Sequence, residues 1–293
     1  MAARHVLMLL VVAAVWGINI AVIKAGLAEM PPIAFVALRF VAVAAVLLPF
    51  VRLQRRHLRR VAPLSFTLGT LHFPLSFVGL DGVDASTAAI AIQLQVPFAA
   101  LLAAVFFKER LGWRRLLGMA IAFAGIVVIA GQPRFSGSLL SLAIVIAAAC
   151  IWAFASVQMK LLGDEIDVLA LNAWVALLAV PQLALISWMF EDGQIAAVLD
   201  AGWTLWASVA YQALLVMVLG YGVWYSMMRR FPLNQVMPFT LLVPVFGVAG
   251  GVVLMGDRLS VPMLLGGAAT IAGVAIIVLR RPRVIAPTTK AGL

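Results

Sequence analysis

Four polar residues stand inside long runs of Ala, Val, Ile, Leu and Phe. They are Asn19, Arg39, His72 and Gln93. A polar side chain within a membrane is energetically costly, so it usually faces the interior of a helix bundle or a watery cavity. A guanidinium and amide dipoles can bind a carboxylate, and amide oxygens can accept from an ammonium group. These residue types therefore predict a site for a small zwitterion with an uncharged side chain.

Helical spacing predicts which of these residues share a face. Asn19 lies one turn from Trp16 on the first apolar run, and Gln93 lies one turn before Pro97 on the fourth. Gln95 is about 200° from Gln93 at 100° per residue. We therefore predict that Gln93 faces a cavity and that Gln95 contacts a neighbouring helix.

Aromatic side chains at depth would supply the walls of the site. Trp152 lies in the middle of its run, and Tyr211 lies deeper than Tyr221 and Trp224, which we assign to the aromatic belt at the membrane interface. The predicted substrate-binding residues are Trp16, Asn19, Arg39, His72, Gln93, Trp152, Ser156 and Tyr211.

Several of these positions have a structural alternative. Asn19 could form a hydrogen bond between helices, and Arg39 could bind carbonyls at helix ends. Lys24, near the end of the first run, is expected to extend to the lipid headgroups. A proline frees carbonyls where a helix bends, which suits either a hinge or a packing kink. The predicted hinges are Pro97, Pro238 and Pro244.

The titratable residues limit the possible chemistry. All eleven carboxylates lie in loops or at the ends of apolar runs. His72 is the only group at depth expected to titrate near neutral pH, which leaves facilitated diffusion or proton coupling through His72. The sequence has no His-Glu-x-x-His motif, no paired carboxylates at depth and no phosphate-binding glycine loop. We predict no enzyme activity, no cofactor and no metal.

The composition identifies the elements that must position these residues. The chain has 293 residues, of which 65% are hydrophobic and 11% are charged, whereas a soluble domain has about 25% charged residues. Apolar runs of about 20 residues are long enough to cross a bilayer. We predict an all-α polytopic membrane protein with ten spans, approximately 5–25, 32–51, 63–80, 84–107, 114–131, 137–160, 167–190, 203–228, 233–255 and 261–280.

The net charge of +10 is explained by topology rather than by nucleic acid. If the N-terminus is cytoplasmic, 17 Lys and Arg residues fall at the inner ends of the spans and only 3 at the outer ends. Basic residues are enriched on the cytoplasmic side of membrane proteins. Both termini are therefore predicted to be cytoplasmic.

The sequence contains an internal repeat. The segment "ERLGWRRLLGMAIAFAGIVVI" (109–129) aligns without gaps to "DRLSVPMLLGGAATIAGVAII" (257–277), at an offset of 148 residues. The segments "WGINIAVIK" (16–24) and "WAFASVQMK" (152–160) also correspond. We predict a first five-helix repeat in 1–131, a second in 132–281 and a cytoplasmic tail in 282–293. Because five is odd, the second repeat would be inverted in the membrane.

Further motifs resemble the bacterial drug/metabolite transporter superfamily in its ten-helix EamA branch. They are "AAVWGINIAVIK" (13–24), "PPIAFVALRF" (31–40), "LGYGVWYSMMRR" (219–230) and "LLVPVFGVAGGVVLMGDRLS" (241–260). The resemblance implies a secondary transporter of the bacterial inner membrane that works by alternating access. It is greatest for exporters of amino acids and their metabolites, including YddG-like aromatic amino-acid exporters.

Two alternatives remain at this point: a multidrug or other metabolite exporter of the same superfamily, and a lipid flippase. Small multidrug pumps of the superfamily, as the resemblance implies, hold cations with a membrane-embedded glutamate. No Asp or Glu lies at depth in this sequence, so a hydrophobic cation would lack a counter-charge. A neutral amino acid, aromatic ones included, is therefore the expected substrate.

Overall fold

The computed structural model describes residues 1–52, 55–108, 112–131, 138–162, 166–231 and 233–279. In these ranges the chain forms helices and no β-strand. Ten helices are long and apolar enough to cross a membrane, which confirms the predicted number. They are α1 (Ala3–Leu27), α2 (Pro32–Phe50), α3 (Arg56–Asp81), α4 (Ala85–Phe107), α5 (Trp113–Ala130), α6 (Leu139–Leu162), α7 (Val168–Phe190), α8 (Trp203–Met228), α9 (Met237–Met255) and α10 (Val261–Val278).

The predicted bounds agree with these helices to within a few residues, except at α3. This helix begins at Arg56, inside the basic segment, rather than near residue 63. The turn predicted at 80–86 does separate α3 from α4, because α3 ends at Asp81 and α4 begins at Ala85. The predicted tail, 282–293, lies outside the described residues.

Local sequence fixes several helix starts. Pro32 occupies the first turn of α2, where its missing N–H would have had no partner in any case. The Asp167 carboxylate accepts two backbone N–H groups at the start of α7, at 2.9 and 3.3 Å. Ser260 accepts from the Met263 N–H at the start of α10. These caps satisfy donors that lipid could not.

Helices α5 and α10 approach each other most closely. A Cβ atom added at Gly125 would lie 2.4 Å from the Gly266 carbonyl oxygen, and one added at Gly118 would lie 2.7 Å from that of Gly273. The order of these pairs along the two helices shows that α5 and α10 run antiparallel. Only glycine allows two backbones to approach this closely, which is typical of helix packing in membranes.

The register of the sequence repeat relates the two glycine contacts to each other. An offset of 148 residues turns the 118–273 contact into the 125–266 contact. Thr270 and Ala122, which are equivalent at this offset, meet midway between them. The Thr270 hydroxyl donates there to the Ala122 carbonyl oxygen at 3.3 Å, across 148 residues of chain.

Helix α2 ends in a 3₁₀ turn at Leu48–Phe50, and four other spans depart from regular α-helical winding in corresponding places of the two halves. Helix α3 is a π-helix over Ser65–His72, and α8 is a π-helix over Tyr211–Tyr221. Helix α4 contains a 3₁₀ turn at Ile92–Leu94, and α9 begins with one at Met237–Leu242. The predicted hinges lie in or directly after these 3₁₀ segments: Pro97, Pro238 and Pro244. The hinge function itself stays a prediction.

Candidate functional site

A cavity of about 190 Å³ lies among α1, α2, α3, α4, α6, α8 and α9. About 10–15 Å³ suffices for one buried water, so this cavity can hold a small organic molecule. The residues that line it are Trp16, Asn19, Ile20, Ile23, Arg39, His72, Phe73, Ser76, Phe77, Leu80, Ala89, Ile92, Gln93, Gln95, Trp152, Val216, Tyr221 and Val243. None of these lining residues is acidic.

Arg39 brings a buried positive charge to this cavity. Its side chain is 3% exposed, and its Cζ lies 4.3 Å from the centroid of the Phe73 ring, with Phe40 and Phe77 farther away. Its Nε is buried without a hydrogen-bond partner. Within the described residues Arg39 has these cation–π contacts but no ion pair. A cation–π contact contributes about 2 kcal/mol when desolvated, less than burying an unpaired charge costs.

Asn19 brings an unsatisfied acceptor to the same cavity. Its Oδ1 is buried and accepts no hydrogen bond. Leaving such a group unpaired costs about 1–3 kcal/mol, which an entering N–H group would recover. The predicted alternative, a hydrogen bond between helices through this oxygen, is absent from the described residues.

His72 is fixed in one orientation by α6. Its Nδ1 lies 2.9 Å from the Ala148 carbonyl oxygen. Because a carbonyl only accepts, Nδ1 carries a proton in either charge state of the ring, and a change of protonation must occur at Nε2. The ring also packs edge-on against Phe73, and Ser76 lies one turn away on the same cavity wall.

Gln93 and Gln95 both line the cavity, so the prediction that Gln95 faces away from it was wrong. The prediction assumed 100° of rotation per residue, which holds for a regular α-helix. Residues Ile92–Leu94 instead form a 3₁₀ turn, which rotates the chain further per residue. The cavity therefore meets α4 on two sides of this turn.

The aromatic wall is built around Trp16. The Trp16 Nε1–H donates to the Val216 carbonyl oxygen at 3.4 Å. Its ring centroid lies 5.2 Å from that of Tyr221 and 5.3 Å from that of Trp224. Tyr221 is the last residue of the π-helical part of α8. It lines the cavity, whereas the sequence analysis assigned it to the interface belt. Trp152 forms part of the wall from α6.

Six of the eight predicted substrate-binding residues line this cavity, and two do not. The Tyr211 hydroxyl donates to the Val15 carbonyl oxygen at 2.9 Å, which holds it in the contact between α8 and α1. The Ser156 hydroxyl donates to the Trp152 carbonyl oxygen one turn earlier in its own helix, at 2.9 Å. Both hydroxyls thus donate to backbone carbonyls, one on another helix and one in the same helix.

The sequence analysis missed Phe73 and Phe77, which pack around Arg39, and it misjudged Lys24. The Lys24 ammonium donates to the carbonyl oxygens of Leu80, Asp81 and Val83, where α3 ends. A lysine at a helix C-terminus satisfies carbonyls that have no partner within the helix. The described residues contain no cluster of His, Cys, Asp and Glu that could hold a metal.

The sequence profile of the EamA-like transporter family matches this chain twice, over residues 3–131 and 139–279. The chain belongs to this family. It is therefore a transporter and not an enzyme, and its apolar helices make it a multi-pass membrane protein.

Two named relatives are similar to this chain over most of its length. A "Probable amino-acid metabolite efflux pump" of Salmonella typhimurium is 33% identical over 91% of this chain and 92% of its own. The protein of the same name in Escherichia coli K12 is 30% identical, over 91% and 92%. A solved structure titled "Crystal structure of protein" has a TM-score of 0.61 at 19% identity and covers 94% of this chain and 96% of its own, which shows the shared fold.

Proposed function

We propose that this protein exports neutral amino acids, aromatic ones among them, or closely related metabolites across a bacterial inner membrane. The observation that carries the proposal is the pair of unsatisfied groups in one cavity. Among the described residues, Arg39 forms no ion pair and its Nε has no hydrogen-bond acceptor, and the Asn19 Oδ1 has no donor. An amino acid supplies both missing partners: its α-carboxylate accepts from Arg39, and its α-ammonium group donates to the Asn19 Oδ1. Both hydrogen bonds are charge-assisted.

The remaining lining suits an uncharged side chain. Trp16, Trp152 and Tyr221 offer ring faces, and Gln93 and Gln95 offer amide groups. Because the lining residues include no carboxylate, a hydrophobic cation would be desolvated without a counter-charge, which costs several kcal/mol. This disfavours a multidrug exporter of the glutamate-dependent kind. The names of the Salmonella and Escherichia relatives support export of amino-acid metabolites.

We further propose an inverted repeat that works by alternating access. Supporting observations are the double match to the family profile, the antiparallel α5–α10 contact that is related to itself by the repeat, and the paired changes of winding. Transporters with inverted repeats bind substrate between the halves and expose it to each side in turn. Any proton coupling is assigned to Nε2 of His72, and facilitated diffusion is the alternative.

The proposed topology places both termini in the cytoplasm. In a Cys150→Ala background, a cysteine at Gly193 should react with an impermeant maleimide applied to intact cells, whereas one at Ala286 should react only after lysis. Labelling at Ala286 in intact cells would contradict this topology.

The substrate proposal is tested with purified protein in liposomes. Labelled phenylalanine, leucine and alanine should be taken up and should compete with one another. N-acetyl-phenylalanine and phenylalanine amide should compete poorly, because each lacks one of the two charges that Asn19 and Arg39 require. Transport of tetraphenylphosphonium with none of any amino acid would refute the proposal.

A further inference from the structure

The indole of Trp16 rests directly on the bare backbone of Gly220. A Cβ atom added at Gly220 would lie 2.4 Å from the Trp16 Nε1 and 3.3 Å from its Cδ1. The same edge of the indole donates to the Val216 carbonyl oxygen, one turn earlier in the π-helical part of α8. No larger residue at position 220 is compatible with the observed place of this ring.

A displaced Trp16 ring has open space beside it. The backbone of α8 closes one side, and the rings of Tyr221 and Trp224 flank it at 5.2 and 5.3 Å. The open space is the cavity that Trp16 lines. A side chain at position 220 would therefore push the indole into the cavity and remove space from it.

We propose that Gly220 determines which amino-acid side chains the cavity accepts, by leaving room for Trp16 at the wall. This inference rests on the proposed export of amino acids. Gly220 does not line the cavity itself, but it sets the size of the largest side chain that the cavity accepts. Large aromatic side chains depend on this space, whereas alanine does not.

Gly220 differs in this respect from the packing glycines. At Gly118 and Gly125 an added Cβ meets the backbone of α10, so a substitution there separates two helices. At Gly220 the nearest atoms belong to a side chain that can move, with the Leu215 carbonyl oxygen of its own helix at 3.2 Å. Gly222 provides a matched control, because a Cβ there would meet nothing within 4 Å.

The experiment compares Gly220→Ala, Gly222→Ala, Trp16→Phe and the double variant Trp16→Phe/Gly220→Ala in liposomes. The measured quantity is the ratio of tryptophan uptake to alanine uptake in one preparation, which does not depend on the amount of reconstituted protein. Misfit of about one methyl group in a pocket changes selectivity about 10-fold or more. Gly220→Ala should lower the ratio by at least this factor, and Gly222→Ala should leave it unchanged.

The double variant separates the proposed mechanism from a general weakening of α8. Phenylalanine lacks the pyrrole edge that would clash, so the double variant should have the same ratio as Trp16→Phe alone. An unchanged ratio in Gly220→Ala, an equal fall in Gly222→Ala or a lower ratio in the double variant than in Trp16→Phe would each overturn the inference. If Gly220→Ala alone cannot be purified, equal ratios in Trp16→Phe and the double variant support the inference, and a lower ratio in the double variant overturns it.

Failure of the underlying proposal gives a different result. A wild-type protein that transports neither amino acid contradicts the exporter proposal itself. A structure of the Gly220→Ala variant then still tests whether a side chain at position 220 displaces the Trp16 indole. An indole shifted toward the cavity supports the inference, and an indole in its original place refutes it.

Discussion

The two halves of the chain, residues 3–131 and 139–279, build similar helices but bring different chemistry to the cavity. The regular parts of α4 and α9, Gln95–Phe107 and Val243–Met255, have the same length, and each ends in a left-handed residue. The first half supplies all the charged, imidazole and amide groups that line the cavity: Asn19, Arg39, His72, Gln93 and Gln95. The second half supplies Trp152, Val216, Tyr221 and Val243.

Helices α2 and α7 make this difference concrete. The eighth residue of α2 is Arg39, and the eighth residue of α7 is Val175, which is also buried. The two helices pack against each other. Helix geometry is thus similar in both halves, while the charged and amide side chains that line the cavity all come from one half. We therefore expect that mutations can change the groups that line the cavity without changing how the helices pack.

Removing the charge from the first half should have the largest effect. Arg39→Gln should reduce amino-acid transport about 100-fold or more, since truncating a buried charge partner typically costs about 2–5 kcal/mol. Thermal stability in detergent should not fall, because an unpaired buried charge is removed. Arg114→Gln, at the start of α5 and outside the cavity, is the control. Normal transport by Arg39→Gln would show that the site is elsewhere.

Changing the shared packing should affect both halves alike. Gly125→Ala and Gly273→Ala each place a Cβ within 2.4 Å of atoms in the opposing helix. Overpacking of this kind costs about 1–3 kcal/mol, so each variant should unfold at a lower temperature by a similar amount. Gly112→Ala should not, because its Cβ would meet nothing within 4 Å. Destabilisation by only one of the two variants would break the equivalence of the halves.

The acceptor at Asn19 should matter less than the charge at Arg39. Asn19→Ala should raise the KM for phenylalanine about 10-fold, since a hydrogen bond to a charged group contributes about 1.5–3 kcal/mol. It should also reduce the preference for phenylalanine over 3-phenylpropionate, which lacks the ammonium group. Asn172→Ala in α7 is the matched control, because that amide donates to the Val168 carbonyl of its own helix. An unchanged preference would remove Asn19 from the ammonium site.

The smallest effect is expected for His72 and concerns only the pH profile. His72→Gln keeps a donor for the Ala148 carbonyl oxygen and removes the titratable Nε2. Transport between about pH 5 and 8 should lose its pH dependence if protons are coupled here. If transport by His72→Gln still depends on pH, His72 is not the site of proton coupling. Loss of transport at every pH would indicate a structural role for His72.

Much of the fold follows from local sequence, whereas the walls of the cavity depend on packing. The ten spans and the turn between α3 and α4 could be predicted, because apolar length and turn residues are local signals. Gln95 was misplaced because a 3₁₀ turn alters the rotation per residue. Tyr221 was misplaced because its position near the end of the span does not show how far a cavity extends along the helix. Lys24 was misplaced because its acceptors lie 56 to 59 residues away in the chain. The ring of Phe73 under Arg39 likewise arises between two helices.

The α5–α10 contact has a consequence for how this chain can assemble. Residue 118 meets residue 273, and their equivalents in the other half, 266 and 125, meet as well. Contacts repeat in this way at the interface of a symmetric homodimer. Ala122 and Thr270 occupy the position that would lie on the two-fold axis. With the proposed inverted repeat, the α5–α10 contact corresponds to a dimer interface between the two halves of one chain. Co-expressed as separate polypeptides divided in the 132–137 segment, the two halves should recognise each other and reassemble through α5 and α10.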